Sequence, residues 1–429
     1  MTRPFLAIPV AAAIALVPVA AVSTSAHERP ALPPDTYVAA WDAIGSAAFT
    51  AAAVPGSGLG PPEGHLIFGY VGIAEYDAVM AVHQDYRPFA INDTAPRGTS
   101  PEAAVAAAAH KVFVHYLPSQ TTMLDSAYTT SLGTIDDGQA KTDGVALGER
   151  VANALLALRA DDGFRAPATY TPPDPPIPGV FLPTAPTPAG GTYLPAMRPF
   201  TLRSADQFRL DGPPALTSKT YARDYNEVKD LGSAASTTRT AAQTETALFW
   251  GEPPVQQAHG AFSKFVRDHE LNIVEAVRFM AMETVTYADA FLACFDSKYH
   301  FKFWRPITAI RAGDTDGNDD TLVDTGWTPM LPTTPNHPDY PSAHSCITPA
   351  SGLVIERFLG TRNIDFTVPS LRGAEHDRYF ATSKALGVDV RNGRVWGGIH
   401  FRSAVEDGSD IAKQVADYVL DRNFKKEHG

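Results

Sequence analysis

The sequence predicts an all-α fold, a helical bundle with one long proline-rich connection, and three observations carry that reading. Apolar residues recur at close to a 3.6-residue period through "NIVEAVRFMAMETVTYADAFLACF", at Ile273, Val277, Met280, Val285, Ala288, Phe291 and Phe295, the pattern of a helix with a broad buried face. Alternating, strand-like runs are scarce. Between Phe164 and Pro214 the texture changes: "TYTPPDPPIPGVFLPTAPTPAGGTYLP" has a proline or glycine every few residues and cannot hold a helix.

Taken in order, the chain opens with "MTRPFLAIPVAAAIALVPVAAVSTSAHERP", one basic residue, an apolar run to Val22 and small residues ending at Ala26. That is the layout of a secretory signal peptide over 1–26, and it predicts a secreted or periplasmic protein. Helical periodicity then marks 35–53, 65–83, 100–116 and 138–160, an N-terminal helical region over 27–163. The proline-rich connection occupies 164–214; loops of this length usually cover a site or link parts. Helices are predicted again at 219–231, 239–249, 256–270, 350–359 and 403–421, within a C-terminal helical domain over 215–429.

The chain has 429 residues, 44% of them hydrophobic, enough for a sizeable core. Removing Arg3 with the signal takes the formal charge from −12 to −13, which disfavours nucleic acid and anionic membrane surfaces as partners. No stretch after the signal carries the roughly 20 uninterrupted apolar residues of a spanning helix, so no membrane is expected to hold the mature form. Two cysteines, Cys294 and Cys346, are too few for a disulfide framework and lack zinc spacing. They read either as one bridge or as buried thiols.

Chemistry-bearing residues gather in three C-terminal segments. The first is "KYHFKFWRP", Lys298–Pro306. If a helix continues through it, Lys298 and Arg305 lie two turns, about 10.5 Å, apart on one face, able to converge on one anion; Pro306 marks a helix end there. The second is "PSAH", Pro341–His344, where Ser342 suits an N-cap and the free amides of a helix start form an anion site. Pro349 predicts that this turn is short or kinked. The third is "RVWGGIH", Arg394–His400, whose paired glycines let backbone approach closely, followed by a helix with Ile411, Val415 and Val419 inward. Singly, each segment reads equally as a solvated basic face, an ordinary helix start or a structural histidine; together they form one pattern.

That pattern resembles the type 2 phosphatidic acid phosphatase and vanadium-dependent haloperoxidase superfamily, whose signature is K-x6-R-P, P-S-G-H and S-R-x5-H. The matches are Lys298, Arg305 and Pro306, then Pro341, Ser342 and His344, then Arg394 and His400. The resemblance implies a bundle of the haloperoxidase/acid-phosphatase type in which Lys298, Arg305, Ser342, Arg394 and the amide of Ala343 bind the oxygens of phosphate or vanadate. It makes His400 the phosphate nucleophile or the vanadium ligand, and His344 the acid–base partner. Ala343 stands where glycine is usual, with strain expected if φ is positive, and Gly393 stands where a serine is common.

The length of the chain and its lack of multiple spanning helices are similar to the soluble bacterial haloperoxidase-like branch. The expected function is a secreted vanadate-dependent haloperoxidase acting on hydrogen peroxide and halide; a secreted acid phosphatase acting on phosphate esters through a phosphohistidine is the alternative, and a non-catalytic oxyanion-binding protein a third. His337, seven before His344, is typically phenylalanine in chloroperoxidases and histidine in bromoperoxidases, so "HPDYPSAH" resembles the bromide type and brings His337 into the catalytic set. Phe295 stands where fungal chloroperoxidases carry tryptophan. No motif places the acid that pairs with a site arginine; Asp289 and Asp296 are the guesses. "DTDGNDD", Asp314–Asp320, fails the EF-hand pattern and reads as a solvated loop. The remaining histidines, His65 and His259 among them, show no metal spacing.

Overall fold

The computed structural model describes residues 36–427; the signal peptide expected over 1–26 lies outside them. Five α-helices come first: α1 (Thr36–Ala52), α2 (Pro61–His83), α3 (Pro101–Tyr116), α4 (Thr121–Leu132) and α5 (Gln139–Arg159). No α-helix interrupts residues 160–218, where only two short 3₁₀ turns form. Then follow α6 (Lys219–Leu231), α7 (Ala241–Phe249), α8 (Pro254–Asp268), α9 (Ile273–Phe301), α10 (Pro306–Arg311) and α11 (Ala343–Leu359). A two-stranded antiparallel ribbon, β1 (Phe366–Val368) with β2 (Arg378–Phe380), precedes α12 (Ser383–Trp396) and α13 (Arg402–Arg422). The all-α expectation holds.

The 29-residue α9 organises the bundle. Asn272 caps its start, accepting from the amides of Val274 and Glu275, while Glu275 reaches back to the Asn272 amide. Nearly every side chain from Ala276 to Lys298 is buried, because α2 packs on one side of α9 and α11 and α13 on the other. One hydrophobic core therefore draws on residues from both sides of the proline-rich connection, from Trp41 and Phe68 to Ile347 and Val415. A second, smaller cluster around Tyr221, Trp304, Trp327 and Phe401 braces the base of the candidate site. By length and composition α2 is apolar enough to cross a membrane, a segment the sequence reading passed over, yet 94% of that stretch is buried inside this bundle.

The proline-rich connection is pinned by carboxylates of α9. Asp289 accepts from the amides of Phe200 (2.7 Å), Thr201 (2.7 Å) and Leu202 (3.1 Å), and Asp296 takes a two-pronged pair from Arg209 at 2.7 and 2.8 Å. Both acids thus face this connection and not the anion site, correcting the guess that either serves a site arginine. Further along, the amide of Phe181 donates to Lys302 and that of Trp304 to Gly179, so the connection is hydrogen-bonded to the stretch that leads from α9 to Arg305.

Three local expectations change. α9 ends at Phe301, with Lys302 left-handed at φ 53° and Arg305 extended just before α10, so Lys298 and Arg305 do not share a helix face; Pro306 excludes its predecessor from helical geometry. α11 runs unbroken from Ala343 through Pro349 to Leu359, since packing on α9, α12 and α13 outweighs one missing backbone bond. The acidic loop is only partly solvated: Asp316 is buried, its carboxylate accepting from the Thr321 hydroxyl at 2.9 and 2.8 Å. Cys294 and Cys346 are free, buried thiols.

Candidate oxyanion site

The three motif segments converge on the turn His337–Ser342. Lys298, in the last turn of α9, is fully buried and donates from Nζ to the carbonyls of Pro338 (2.8 Å), Asp339 (3.0 Å) and Pro341. Its three protons are thus spent on the turn, and toward an anion it acts through charge where direct ligation was expected. Arg305 is also fully buried: Nε donates to the His337 carbonyl (2.8 Å) and Nη1 to that of Ile399 (2.8 Å). Nη1 also lies 3.2 Å from His400 Nε2, and Nη2 3.0 Å from His337 Nδ1.

These contacts fix tautomers, because guanidinium only donates. His400 Nε2 and His337 Nδ1 must both present lone pairs to Arg305. The other nitrogen of His400, Nδ1, lies 2.8 Å from Asp339 Oδ1, so its proton faces the carboxylate, out of line for a full hydrogen bond. With its Nδ1 lone pair taken by Arg305, His337 cannot also donate from Nδ1 to the Pro338 carbonyl at 3.2 Å. Its ring rests on Phe295, centroids 5.0 Å apart.

Asp339 is the acid the sequence reading missed. It is fully buried, 3.9 Å from Arg305 as well as beside His400, and burial pushes its pKa up to about 7 against the pull of Arg305 and Lys298. The signal available for it was its place inside "HPDYPSAH", a carboxylate between two motif histidines.

Ser342 occupies the N-cap position of α11, but its hydroxyl does not cap the helix; it is fully buried with no partner among the described residues. The first amides of α11, Ala343 included, have no intrahelical acceptor. Ala343 is the first residue of that helix and is not among the positive-φ residues, so the strain feared for its Cβ does not arise. Arg394, in the last turn of α12, donates from Nη1 to the Trp250 carbonyl, and its buried Nε is unpartnered. A Cβ on Gly393 would meet Trp250 Cδ1 at 2.6 Å and the Thr246 carbonyl at 3.0 Å, which explains glycine where serine is usual. Gly398, at φ 78°, lets the chain turn back beneath Arg305 to deliver His400.

Two buried cations, Lys298 and Arg305, therefore share the Asp339 carboxylate, and a third, Arg394, adds its charge next to Arg305. Burial presses the pKa of Lys298 down to about 8, that of Arg305 to about 10 and that of Arg394 to about 9, with Arg305 adding to the strain on Arg394. Burial, then Arg394, holds His344 well below the usual histidine range, and burial, then Arg305, does the same for His400. His344 is partly exposed, though its Nε2 is shielded and unpartnered. Such a cluster is costly unless an anion completes it. It offers fixed positive charge, free N–H and O–H donors, a histidine whose unprotonated Nε2 faces Arg305, and a second, neutral histidine. Among the described residues no three or more His, Cys, Asp or Glu are set to ligate a cation.

Residues 278–428 match the family described as the VCPO second helical-bundle domain. The vanadium chloroperoxidase of Curvularia inaequalis is 25% identical over 402 residues, covering 76% of this chain and 66% of its own length. Among solved structures, a bacterial vanadium-dependent iodoperoxidase superposes with a TM-score of 0.78 at 22% identity, over 93% of this chain and 98% of its own. A holo-type bacterial vanadium-dependent chloroperoxidase superposes at 0.69 and 18% identity, over 87% and 93%. At these identities the superpositions establish a common fold.

Proposed function

We propose that this chain, whose likeness to the haloperoxidase-like branch is carried by both motifs and fold, is an exported vanadate-dependent haloperoxidase that uses hydrogen peroxide to oxidise halide, bromide included. The observation that carries the proposal is the buried excess of cations around His400, whose unprotonated Nε2 faces Arg305 Nη1 at 3.2 Å while Nδ1 faces Asp339. Vanadate suits these residues: among the described residues Ser342 Oγ and Arg394 Nε are donors without acceptors, the first amides of α11 have no intrahelical acceptor, and a tetrahedral oxyanion brings acceptors and negative charge together. The run of residues 1–26 supports export, and His337 supports bromide.

Bound vanadate supplies Lewis-acid activation of peroxide, in a net reaction X⁻ + H₂O₂ + H⁺ → HOX + H₂O. The chain's own groups do the rest. His400, with its Nδ1 proton turned to Asp339, would offer Nε2 to the metal in place of its contact with Arg305 Nη1. Lys298, Arg305 and Arg394 hold the oxygens by charge, and Ser342 and the Ala343 amide by hydrogen bonds. His344, neutral at the pH where its neighbours are charged, takes the proton that peroxide sheds and returns it to the departing oxygen.

A phosphatase would use the same atoms, with His400 Nε2 attacking phosphorus. The test is to reconstitute the purified protein with orthovanadate and assay peroxide-dependent oxidation of iodide, bromide and chloride beside hydrolysis of p-nitrophenyl phosphate without vanadate. Halide oxidation that requires vanadate is expected. Phosphate ester turnover inhibited by vanadate, with no halide oxidised, would assign the site to phosphoryl transfer.

A further inference from the structure

The Arg394 side chain makes one hydrogen bond among the described residues, from Nη1 to the Trp250 carbonyl at the end of α7. A guanidinium is a rigid plane, so the aim of its unpartnered Nε follows from where that one carbonyl stands. The Trp250 amide bonds back into α7, while its carbonyl lies past the last helical turn and is free to accept.

What fixes Trp250 lies outside the oxyanion cluster. Its indole Nε1 donates to Asp389 Oδ2 at 2.8 Å, and Arg378 Nη1 holds both oxygens of Asp389, at 2.9 and 2.8 Å. The indole also rests on Gly393, where an added Cβ would meet Cδ1 at 2.6 Å. Trp250 is therefore seated on α12 at three points: Asp389, Gly393 and Arg394. With one point lost, the end of α7 can turn about the other two and carry the carbonyl with it. Arg378 and Asp389 are 21% and 24% exposed, and an ion pair so placed contributes little stability by itself. Its use lies in the indole that it holds.

We propose that Asp389, braced by Arg378, is a positioning residue of the oxyanion site, fixing Trp250 so that its carbonyl aims Arg394 at the anion. The proposal rests on the haloperoxidase reading for the identity of that anion. The brace reaches beyond one bond. The Arg378 guanidinium lies 5.0 Å from the centre of the Phe249 ring. Glu252 accepts from Ser370 Oγ (2.6 Å), the Leu371 amide (2.6 Å) and Arg372 Nε (2.9 Å). Residues 249–252 are thus tied to the β1–β2 ribbon and its connecting loop, which gives that ribbon a part in the site although none of its residues belongs to the cation cluster.

Asp389→Ala removes the acceptor, Asp389→Asn keeps an oxygen for the indole, and Trp250→Phe removes the indole donor but keeps the carbonyl. Titrated with orthovanadate, the alanine variant should bind about tenfold more weakly than the wild type, and the asparagine variant should recover most of that loss. Trp250→Phe should match Asp389→Ala, and the two combined should be no weaker than either alone, as expected of residues that act through one contact. Circular dichroism and denaturant unfolding verify folding; Trp250→Phe carries the test if Asp389→Ala does not fold. Crystals of the anion-free variants should show Arg394 Nε displaced from its wild-type place. Wild-type vanadate affinity in the folded variants, additive losses in the double variant, or an unmoved Arg394 would overturn the assignment. If the wild type neither binds vanadate nor oxidises halide, the functional reading fails, and the position of Arg394 in the crystals still decides what Asp389 does.

Discussion

His400 owes its readiness to two neighbours, Arg305 at Nε2 and Asp339 at Nδ1. Asp339→Asn keeps the shape but removes the charge that holds the Nδ1 proton. A loss of about 10- to 100-fold in vanadate affinity or turnover is expected, measured by vanadate titration and steady-state kinetics. His344→Ala should behave oppositely: vanadate still binds, and halide oxidation drops by about a hundredfold or more. His337 divides from both. Its Nδ1 and carbonyl hold Arg305, so His337→Phe should weaken vanadate binding; an unchanged affinity with an altered bromide-to-chloride ratio would instead put the ring in contact with halide. At this scale the motif spacing exposed Lys298, Arg305, Ser342, His344, Arg394 and His400. It missed Asp339, because pairing across the fold leaves no local period.

Element geometry explains where the chain departs from the signature it resembles. Gly393 sits where α12 crosses Trp250 at the end of α7, with no room for a side chain. Gly393→Ser, although it restores the residue common in the resembled signature, should destabilise the fold by about 1–3 kcal/mol, read by denaturant unfolding, without tightening vanadate binding. The helices with strong apolar periodicity were legible, α9 above all. α12 was not, since Gly387 and Gly393 dilute its pattern and tertiary packing holds it. α11 was read as starting with a short turn because Pro349 is a local breaker, and the packing that overrides it comes from α9 and α13. Lys298 and Arg305 still converge, through a left-handed Lys302 and an extended Arg305 that spacing on one helix could not foresee.

Across the whole molecule, a chain of net charge −12 conceals a positive centre. All three cations of that centre lie buried, Lys298 at the end of α9, Arg305 just before α10 and Arg394 in the last turn of α12, at a place that no overall composition reveals. Lys298 titrates near 8 there, so a bound anion, which favours its charged form, is held less well once the free protein has lost that proton. Sulfate, which keeps its charge across this range, should therefore bind about tenfold more weakly per pH unit above 8, checked by competition with vanadate at pH 7 and pH 9. A flat profile would mean that Lys298 stays charged without the anion. The sharing of one core by both helical regions follows from α2 packing on α9. Periodicity announced each helix but not that pairing. The central claim, that His400 is the ligand of a vanadate held by these cations, is tested most directly by diffusing orthovanadate into crystals and locating vanadium by its anomalous signal. The account predicts vanadium bonded to His400 Nε2 with its oxygens toward Arg305, Arg394 and Ser342; vanadium bonded to His344, or none in the cluster, would contradict it.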